Sequence, residues 1–412
     1  MQKISALVSV TLSLTLATTG AAQGQGQQRQ VQLPDGEGRE VVQVLCTQCH
    51  TLNNIVNSHG YTQAGWKSLI SSMVRMRPER EALVTAYLAR HFPVKPAPEA
   101  VVIPGPATVN IREWMVPTLG SRPHDPAIAP DGSIWWTGQF SNTLGRLDPR
   151  TGAMREYMLK SPNSGPHGLV ADRAGNIWYT GQSGQHVGKL DPLSGAVTEY
   201  PMPDSAARGP HTPIFDQRGN LWFTLQSGMV GRILPATGEV KVVRTPTART
   251  YPYGIVVNST GVPWYVDFRG NRVGSVEPTT MQIREYTLPD TGARPRRIAV
   301  TPDDKVWYTD HERGYLGVFD PATGRAREWA SPGGRQSRPY AIANTGSIIW
   351  YSESGVRPNT LVRFDPATER FQTWTIPSGG GVVRHMMATP DGNLVLALSG
   401  VNRVALVEVG KD

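Results

Sequence analysis

The only two cysteines of the chain lie in the sequence Cys46-Thr47-Gln48-Cys49-His50. The spacing C-x-x-C-H is the pattern of covalent haem attachment, in which two thiols form thioethers and the adjacent histidine binds the iron. A thioredoxin-like redox pair needs a βαβ setting, and a zinc site needs a second pair of ligands. Neither surrounds these residues in the sequence. We therefore predict a covalent haem c on Cys46 and Cys49, with His50 as the proximal iron ligand.

Candidates for the second axial ligand of the iron follow the motif. Met73 lies seven residues after Trp66, and Met76 lies three residues further on, nearly on the same helical face. A methionine at helical spacing is often a core residue. An axial methionine would, however, complete a low-spin electron-transfer centre. Met73 is the first candidate, Met76 is the alternative, and His59 and His91 are weaker candidates.

The residues around the motif predict three helices, at 37–45, 66–75 and 79–92. A helix that runs into C-x-x-C-H, a loop, a helix with methionines and a closing helix resemble the small cytochrome c domains. The resemblance covers residues 35–93 and implies a small all-α haem domain that carries electrons. Residues 94–107 contain four prolines, which predict a stiff, extended linker.

Beyond the linker, the chain repeats itself at intervals of 42 to 45 residues. The repeating position is occupied by Trp135, Trp178, Trp222, Trp264, Trp307, Trp350 and Val395. Most copies read as four short strands separated by turns, which is typical of a β-propeller. We predict a seven-bladed, all-β propeller over residues 108–410. Residues 110–117 match the outermost strand, which the last copy lacks, so we expect them to close the ring.

The motifs x-P-H-G-[I/L], D-G-x-[I/L]-W-[Y/F]-T and [V/L]-G-R-[L/I] resemble the streptogramin (virginiamycin B) lyase family over residues 108–410. The resemblance implies a channel enzyme that opens a cyclic ester by elimination, with a histidine base and a Mg²⁺ held by histidine and two glutamates. In that family, one blade carries glutamates two residues before and fourteen residues after its histidine. No blade here has this pair; around His167, for example, these positions are Gly165 and Gly181.

The first strand of each blade of a propeller faces the central channel. Two positions of each blade are therefore candidates: the one after the first-strand proline and the one three residues after the repeated tryptophan. Histidine can act as a base near neutral pH, and carboxylates can hold Mg²⁺. The candidate catalytic residues are His124, His167, His211 and His385. The candidate ligands of a channel cation, which the resemblance implies to be Mg²⁺, are Asp267, Asp310 and Glu353. The alternative interpretation is that the histidines are elements of blade packing.

Residues 1–22 predict a secretory signal peptide, with Lys3, an apolar run and small residues before a cleavage site after Ala22. The run is short for a membrane span, so we expect a periplasmic protein without stable membrane insertion after cleavage. The formal net charge is +8, and its basic residues are scattered along the chain. Scattered charge of this kind argues against nucleic acid as a partner.

The sequence thus predicts a multidomain protein: a small all-α cytochrome c domain followed by an all-β seven-bladed propeller. The favoured interpretation is an exported electron carrier whose propeller binds a redox partner protein or a small-molecule substrate. The alternatives are a Mg-dependent lyase-like channel enzyme with an appended cytochrome, and a non-catalytic haem sensor or scaffold. Because a redox-neutral elimination has no use for haem, the sequence favours the electron carrier.

Overall fold

The computed structural model describes residues 32–47, 52–56, 58, 60–71, 74 and 76–410. The predicted signal peptide at 1–22 lies outside the described residues, as do Cys49, His50, His59 and Met73. Within the described part, a small helical unit precedes a ring of β-sheets. No helix of that part is long and apolar enough to cross a membrane.

The helical unit contains α1 (Arg39–Cys46), α2 (Asn53–Val56), α3 (Gln63–Ser71) and α4 (Pro78–His91). Pro78 begins α4, where its fixed φ suits the first turn and its missing N–H is not needed. The helices bury a core of their own, which consists of Leu33, Val42, Ile55, Trp66, Ile70, Val84, Tyr87 and Leu88. The third predicted helix is reproduced closely, whereas α3 begins three residues before the predicted start and ends at Ser71.

The proline-rich linker is bound to the propeller over much of its length. The backbone N–H of Arg357 donates to the carbonyl of Pro98 (2.9 Å), and Thr373 Oγ1 donates to the carbonyl of Val101 (2.6 Å). Further along, Gln372 Nε2 donates to the carbonyl of Ala107 (2.6 Å). The segment is therefore extended, as its prolines predict, but it is held against one blade instead of spanning open solvent.

The ring consists of seven four-stranded antiparallel sheets, which confirms the predicted propeller. The strands of the first four blades are β2–β5 (Pro123–Ile128, Ile134–Gly138, Thr143–Leu147, Met154–Met158), β6–β9 (Pro166–Ala171, Ile177–Gly181, His186–Leu190, Val197–Pro201), β10–β13 (Pro210–Phe215, Leu221–Leu225, Met229–Leu234, Glu239–Arg244) and β14–β17 (Pro252–Val257, Pro263–Asp267, Arg272–Val276, Ile283–Thr287). The next two blades are β18–β21 (Pro295–Val300, Val306–Asp310, Tyr315–Asp320, Arg325–Ala330) and β22–β25 (Pro339–Thr345, Ile348–Glu353, Thr360–Asp365, Arg370–Thr375).

The seventh blade joins the two ends of the propeller. It contains β26 (Val383–Ala388), β27 (Leu394–Leu398) and β28 (Arg403–Val409), and its outermost strand is β1 (Val109–Met115). The pairing runs antiparallel from Val109 opposite Val409 to Met115 opposite Arg403. This confirms the predicted closure, which removes two unpaired sheet edges.

The repeated glycine of the third strand is explained by an aromatic side chain of the second. A Cβ on Gly188 would lie 2.1 Å from Tyr179 Cζ, and one on Gly145 would lie 2.0 Å from Trp136 Cε2. Any side chain would displace a ring that is fully buried. The motif [V/L]-G-[R/K] therefore contains glycine because the third strand passes directly over this ring.

Candidate functional site

A bulge in the first strand of each blade directs side chains into the channel. In the second blade, Pro166 pairs with Gly181, and the register then shifts before Leu169 pairs with Tyr179. Thr180, from the W-[Y/F]-T motif, accepts the N–H of Gly168 inside the bulge (2.9 Å). It also donates to the carbonyl of His211 in the next blade (2.6 Å). The repeated threonine thus fixes the bulge and joins neighbouring blades at the channel wall.

Three of the four candidate histidines stand in a continuous stack around the channel. The ring centroids of His124 and His167 are 3.7 Å apart, and those of His167 and His211 are 3.8 Å apart. Tyr253 continues the stack, 3.9 Å from His211. Burial above all lowers the pKa of each of the three histidines well below 6.5, so the stack is neutral at neutral pH.

An ion pair crosses the axis of the ring beside this stack. Arg297, from the fifth blade, donates from Nη2 to Asp125 Oδ1 (2.7 Å) and from Nη1 to Asp125 Oδ2 (3.3 Å). The same Nη1 donates to Thr212 Oγ1 (3.1 Å) in the third blade. Both charged side chains are about 1% exposed. The centre of the ring is therefore filled, and its charges are paired.

Two tyrosines and an arginine continue the channel wall beyond the histidines. The hydroxyls of Tyr253 and Tyr340 are 2.6 Å apart, and Arg296 lies over the Tyr340 ring at 3.7 Å. Arg296 Nη1 also donates to His311 Nε2 (2.9 Å). Burial alone would raise the pKa of Tyr340, but the guanidinium groups of Arg296 and Arg384 outweigh it and lower the pKa to about 7. Burial raises the pKa of Tyr253 to about 12.

The seventh blade presents an arginine where the sequence suggested a histidine. Val383 pairs with Leu398 just as the blade-opening Pro123 pairs with Gly138, so the channel residue after it is Arg384. His385 occupies the following position, equivalent to Asp125 in the first blade. Burial lowers the pKa of His385 to about 3, which keeps its imidazole neutral.

The three candidate cation ligands are the last residues of β15, β19 and β23, in three different blades, and each is bound by its own surroundings. Asp267 accepts the N–H of Tyr251, and Asp310 pairs with Arg313 at 2.6 Å. Glu353 accepts from the side chain of Ser331 and also binds its own blade. Among the described residues, the group with metal-ligand spacing is instead His124, Asp125 and His167. Its carboxylate is already paired with the buried guanidinium of Arg297, which opposes a cation there.

A cavity of about 860 Å³ lies between the helical unit and one end of the ring. The helical unit contributes Ile55, Trp66 and Leu69 to its wall. Five cationic side chains line it, namely Lys95, Arg122, Arg338, Arg357 and Arg384. No acidic residue is among its described lining residues. Such a cavity suits a partly apolar ligand that carries negative charge.

Four of the five cations form two pairs with different surroundings, whereas the fifth, Arg338, lies 3.4 Å from the carboxylate of Glu312. Arg122 and Arg384, the mouth pair, adjoin the channel: burial and Arg384 lower the pKa of Arg122 to about 9. Lys95 and Arg357, the linker pair, adjoin the helical unit, where Lys95 Nζ donates to the carbonyl of Ser58 (2.6 Å). Since like charges repel, an anion bound at either pair would relieve an electrostatic cost.

The predicted haem ligands are only partly within the described residues. Cys46 is the last residue of α1 and packs, half-buried, against the helical core. Met76 also packs against this core. His91 ends α4, where its ring lies 4.5 Å from that of Tyr87.

Several channel and cavity residues were missed by sequence reasoning. Arg122 and Arg384 were not predicted, because the histidines next to them in sequence carry the more familiar chemical signal. The double arginine Arg296-Arg297 was not predicted, although an equivalent pair of channel positions exists in every blade. Aligning the blades on the second strand, instead of on histidine, would have found Arg384.

Comparison with known proteins supports the fold and gives the family. The sequence profile described as the virginiamycin B lyase family matches residues 106–323. A structure described as streptogramin B lyase is 25% identical, with a TM-score of 0.67, over 73% of this chain and 98% of its own. A catalytically inactive variant of virginiamycin B lyase from Staphylococcus aureus, solved with quinupristin, is 21% identical, with a TM-score of 0.66, over 73% and 99%.

A further solved structure is similar at lower identity. Kuenenia stuttgartiensis hydrazine synthase is 13% identical, with a TM-score of 0.59, over 69% of this chain and 95% of its own. At that identity the similarity concerns the fold alone. No curated protein is detectably similar to the chain in sequence.

Proposed function

The chain belongs to the virginiamycin B lyase family, and on this premise we propose that its propeller is a carbon–oxygen lyase acting on an anionic substrate. The observation that carries the proposal is the cavity at the end of the ring, with its five cations and no described acidic residue. A substrate with a carboxylate, or one whose elimination releases a carboxylate, would match this charge. The cavity's volume of about 860 Å³ is sufficient for a small organic molecule.

The mouth pair suits the chemistry of an elimination. In such a step a base takes a C–H proton, the adjacent C–O bond breaks, and its electron pair leaves on a carboxylate as a C=C bond forms. Arg122 and Arg384 would stabilise the charge that develops on the leaving carboxylate.

The Mg²⁺ that the resemblance implies does not fit the described residues. The mouth pair is cationic, the carboxylates of Asp310 and Glu353 are used by their own blades, and Asp125 is neutralised by Arg297. The proposal therefore assigns to guanidinium groups the stabilisation of charge that a metal would otherwise supply.

The test is an assay of ester opening by the purified full chain, with quinupristin and simpler carboxylate esters as substrates. We expect turnover that survives EDTA. Replacing an important charge-stabilising donor lowers kcat by about 10²–10³-fold, which we expect for Arg384→Gln. Arg370→Gln, an exposed change on β25, is the matched control. Absence of turnover by the wild type, or its loss with EDTA, would contradict the proposal.

A second candidate function is favoured by the motif Cys46-Thr47-Gln48-Cys49-His50. We propose that the helical unit carries a covalent haem c, exported to the periplasm, which passes electrons to or from a partner or substrate at the cavity. The apolar wall of Ile55, Trp66 and Leu69 suits a porphyrin face, and the cations suit its carboxylates. When bound, haem supplies a one-electron redox centre.

The haem proposal is tested by the spectrum of the protein made in a host that matures c-type cytochromes. We expect a reduced-minus-oxidised difference spectrum typical of haem c and a haem stain that persists after denaturation. Cys49→Ala is expected to abolish the persistent stain, because one thioether is lost. Replacement of the axial candidates Met73 and Met76 by leucine, one at a time, identifies the sixth ligand from the spectrum. A colourless wild-type protein would end this proposal.

A further inference from the structure

The cavity has one wall from each part of the protein, and the linker fixes the two walls together. Besides the hydrogen bonds already described, the backbone N–H of Ala100 donates to the carbonyl of Arg357 (3.3 Å), and Ile103 donates to Thr373 Oγ1 (2.7 Å). Arg357 therefore belongs to the propeller but is bonded to the linker on both of its backbone groups. A group on the helical unit that extends into the cavity would meet the propeller at this point.

The linker pair lacks negative partners. Within the part of the chain that the structure describes, no carboxylate forms an ion pair with Lys95 or Arg357. Arg357 is half-buried, and burial lowers its pKa against the opposing influence of Tyr61. Both cations face the cavity on the side of the helical unit, through Ser58 and Tyr61. An anionic group delivered by the helical unit would restore the charge balance here.

Haem attached to the helical unit would carry anionic groups of the kind that the linker pair lacks. Its vinyl edge is consumed by the two thioethers, and its two propionate carboxylates project from another part of the ring edge. Resting on the proposed haem function, we propose that Lys95 and Arg357 bind the haem propionates, so that the propeller completes the haem site. Charge-assisted hydrogen bonds from guanidinium to carboxylate are strong and directional, which suits Arg357 to this role.

This arrangement predicts an effect on the reduction equilibrium. The two cations favour the reduced haem, because reduction adds one negative charge close to them. Removing either cation should therefore favour the oxidised state. We expect Arg357→Gln to change the reduction equilibrium about tenfold, which corresponds to about 59 mV for a one-electron couple. Lys95→Gln should shift the midpoint potential in the same direction by less, since it offers a single point charge.

The experiment is a redox titration of the full-length haem protein and its variants. Covalent haem content is measured first by denaturing stain, so a wild type without haem would overturn the haem proposal and this inference together. With haem present, lowered potentials in Arg357→Gln and Lys95→Gln support the inference, provided that Arg370→Gln is unchanged. Arg357→Lys retains the charge and should recover most of the shift. Normal haem content with unchanged potentials in both glutamine variants would overturn the inference alone.

A free carboxylate anion could occupy the linker pair in place of the propionates. The two sources are separated by titrating the wild type in a buffer free of carboxylates and again with added citrate. If the propionates occupy the linker pair, the Arg357→Gln shift persists in the buffer free of carboxylates. A shift that disappears in that buffer and returns with citrate would overturn the assignment to haem.

Discussion

The axis of the ring and the cavity at its end both contain arginine side chains. The two regions differ in whether a carboxylate pairs with those arginines. At the axis, Arg297 is paired with Asp125, and the stacked imidazoles are held neutral by burial. In the cavity, Arg122 and Arg384 stand without a carboxylate partner among the described residues. The histidines, which the sequence predicts as catalytic candidates, are therefore parts of a closed interior. The less conspicuous arginines are the groups available to a ligand.

The largest expected effect is at the axis, where the comparison assigns a structural role. Arg297→Met leaves the Asp125 carboxylate buried without its cation, and we expect the free energy of unfolding to fall by about 3–5 kcal/mol. Chemical denaturation measures this change. The double variant Arg297→Met/Asp125→Leu, which removes both charges, should recover most of it. Equal stability of the wild type and Arg297→Met would show that the ion pair is not part of the interior.

An intermediate effect is expected from pH. The buried histidines have pKa values well below 6.5, so the unfolded chain binds more protons than the folded one in acid. The free energy of unfolding therefore has its full value above pH 6.5. Below pH 6.5 it falls by about 1.4 kcal/mol per pH unit for each such histidine. The denaturation free energy of His167→Gln should depend less steeply on pH between 6.5 and 4 than that of the wild type. His91→Gln, in the helical unit, serves as control, and an identical slope for all three proteins would contradict neutral burial.

The smallest effect on stability is expected at the mouth, where the comparison predicts a ligand site. Arg384→Gln should change the free energy of unfolding by less than about 0.5 kcal/mol, since it breaks no described ion pair. It should weaken binding of citrate about tenfold, as expected for one lost charge-assisted hydrogen bond. Calorimetric titration measures the affinity, with Arg370→Gln as the matched change. If Arg384→Gln strongly destabilised the protein without weakening citrate binding, Arg384 would be a structural residue and not part of a ligand site.

The sequence predicts the ring well because each blade repeats local signals. Tryptophan spacing, turn aspartates such as Asp172, which accepts from Trp178 Nε1 at 2.9 Å, and the strand glycines specify one blade at a time. The closing strand is also predictable, because residues 110–117 carry the same pattern. These features depend on contacts within a blade or between neighbouring blades.

The candidate site is less predictable because its contacts are distant in sequence. Arg297 and Asp125 are 172 residues apart, and nothing local indicates that they meet. The residue order in the seventh blade misled the channel assignment, since Val383 replaces the proline that marks the first strand elsewhere. The cavity itself arises from docking the linker on the sixth blade, which depends on tertiary hydrogen bonds of Gln372 and Thr373.

The pairing of β1 with β28 has a consequence for the order of folding. The first strand of the propeller is synthesised early but acquires its partner only when Arg403–Val409 has been made. Until then, β1 has no partner and the seventh blade is incomplete, so both present open edges that can pair with other chains. Contacts of such long sequence separation slow folding and prolong the exposure of intermediates. We expect loss of the final strand to yield insoluble protein, while the six complete blades before it keep their local pattern.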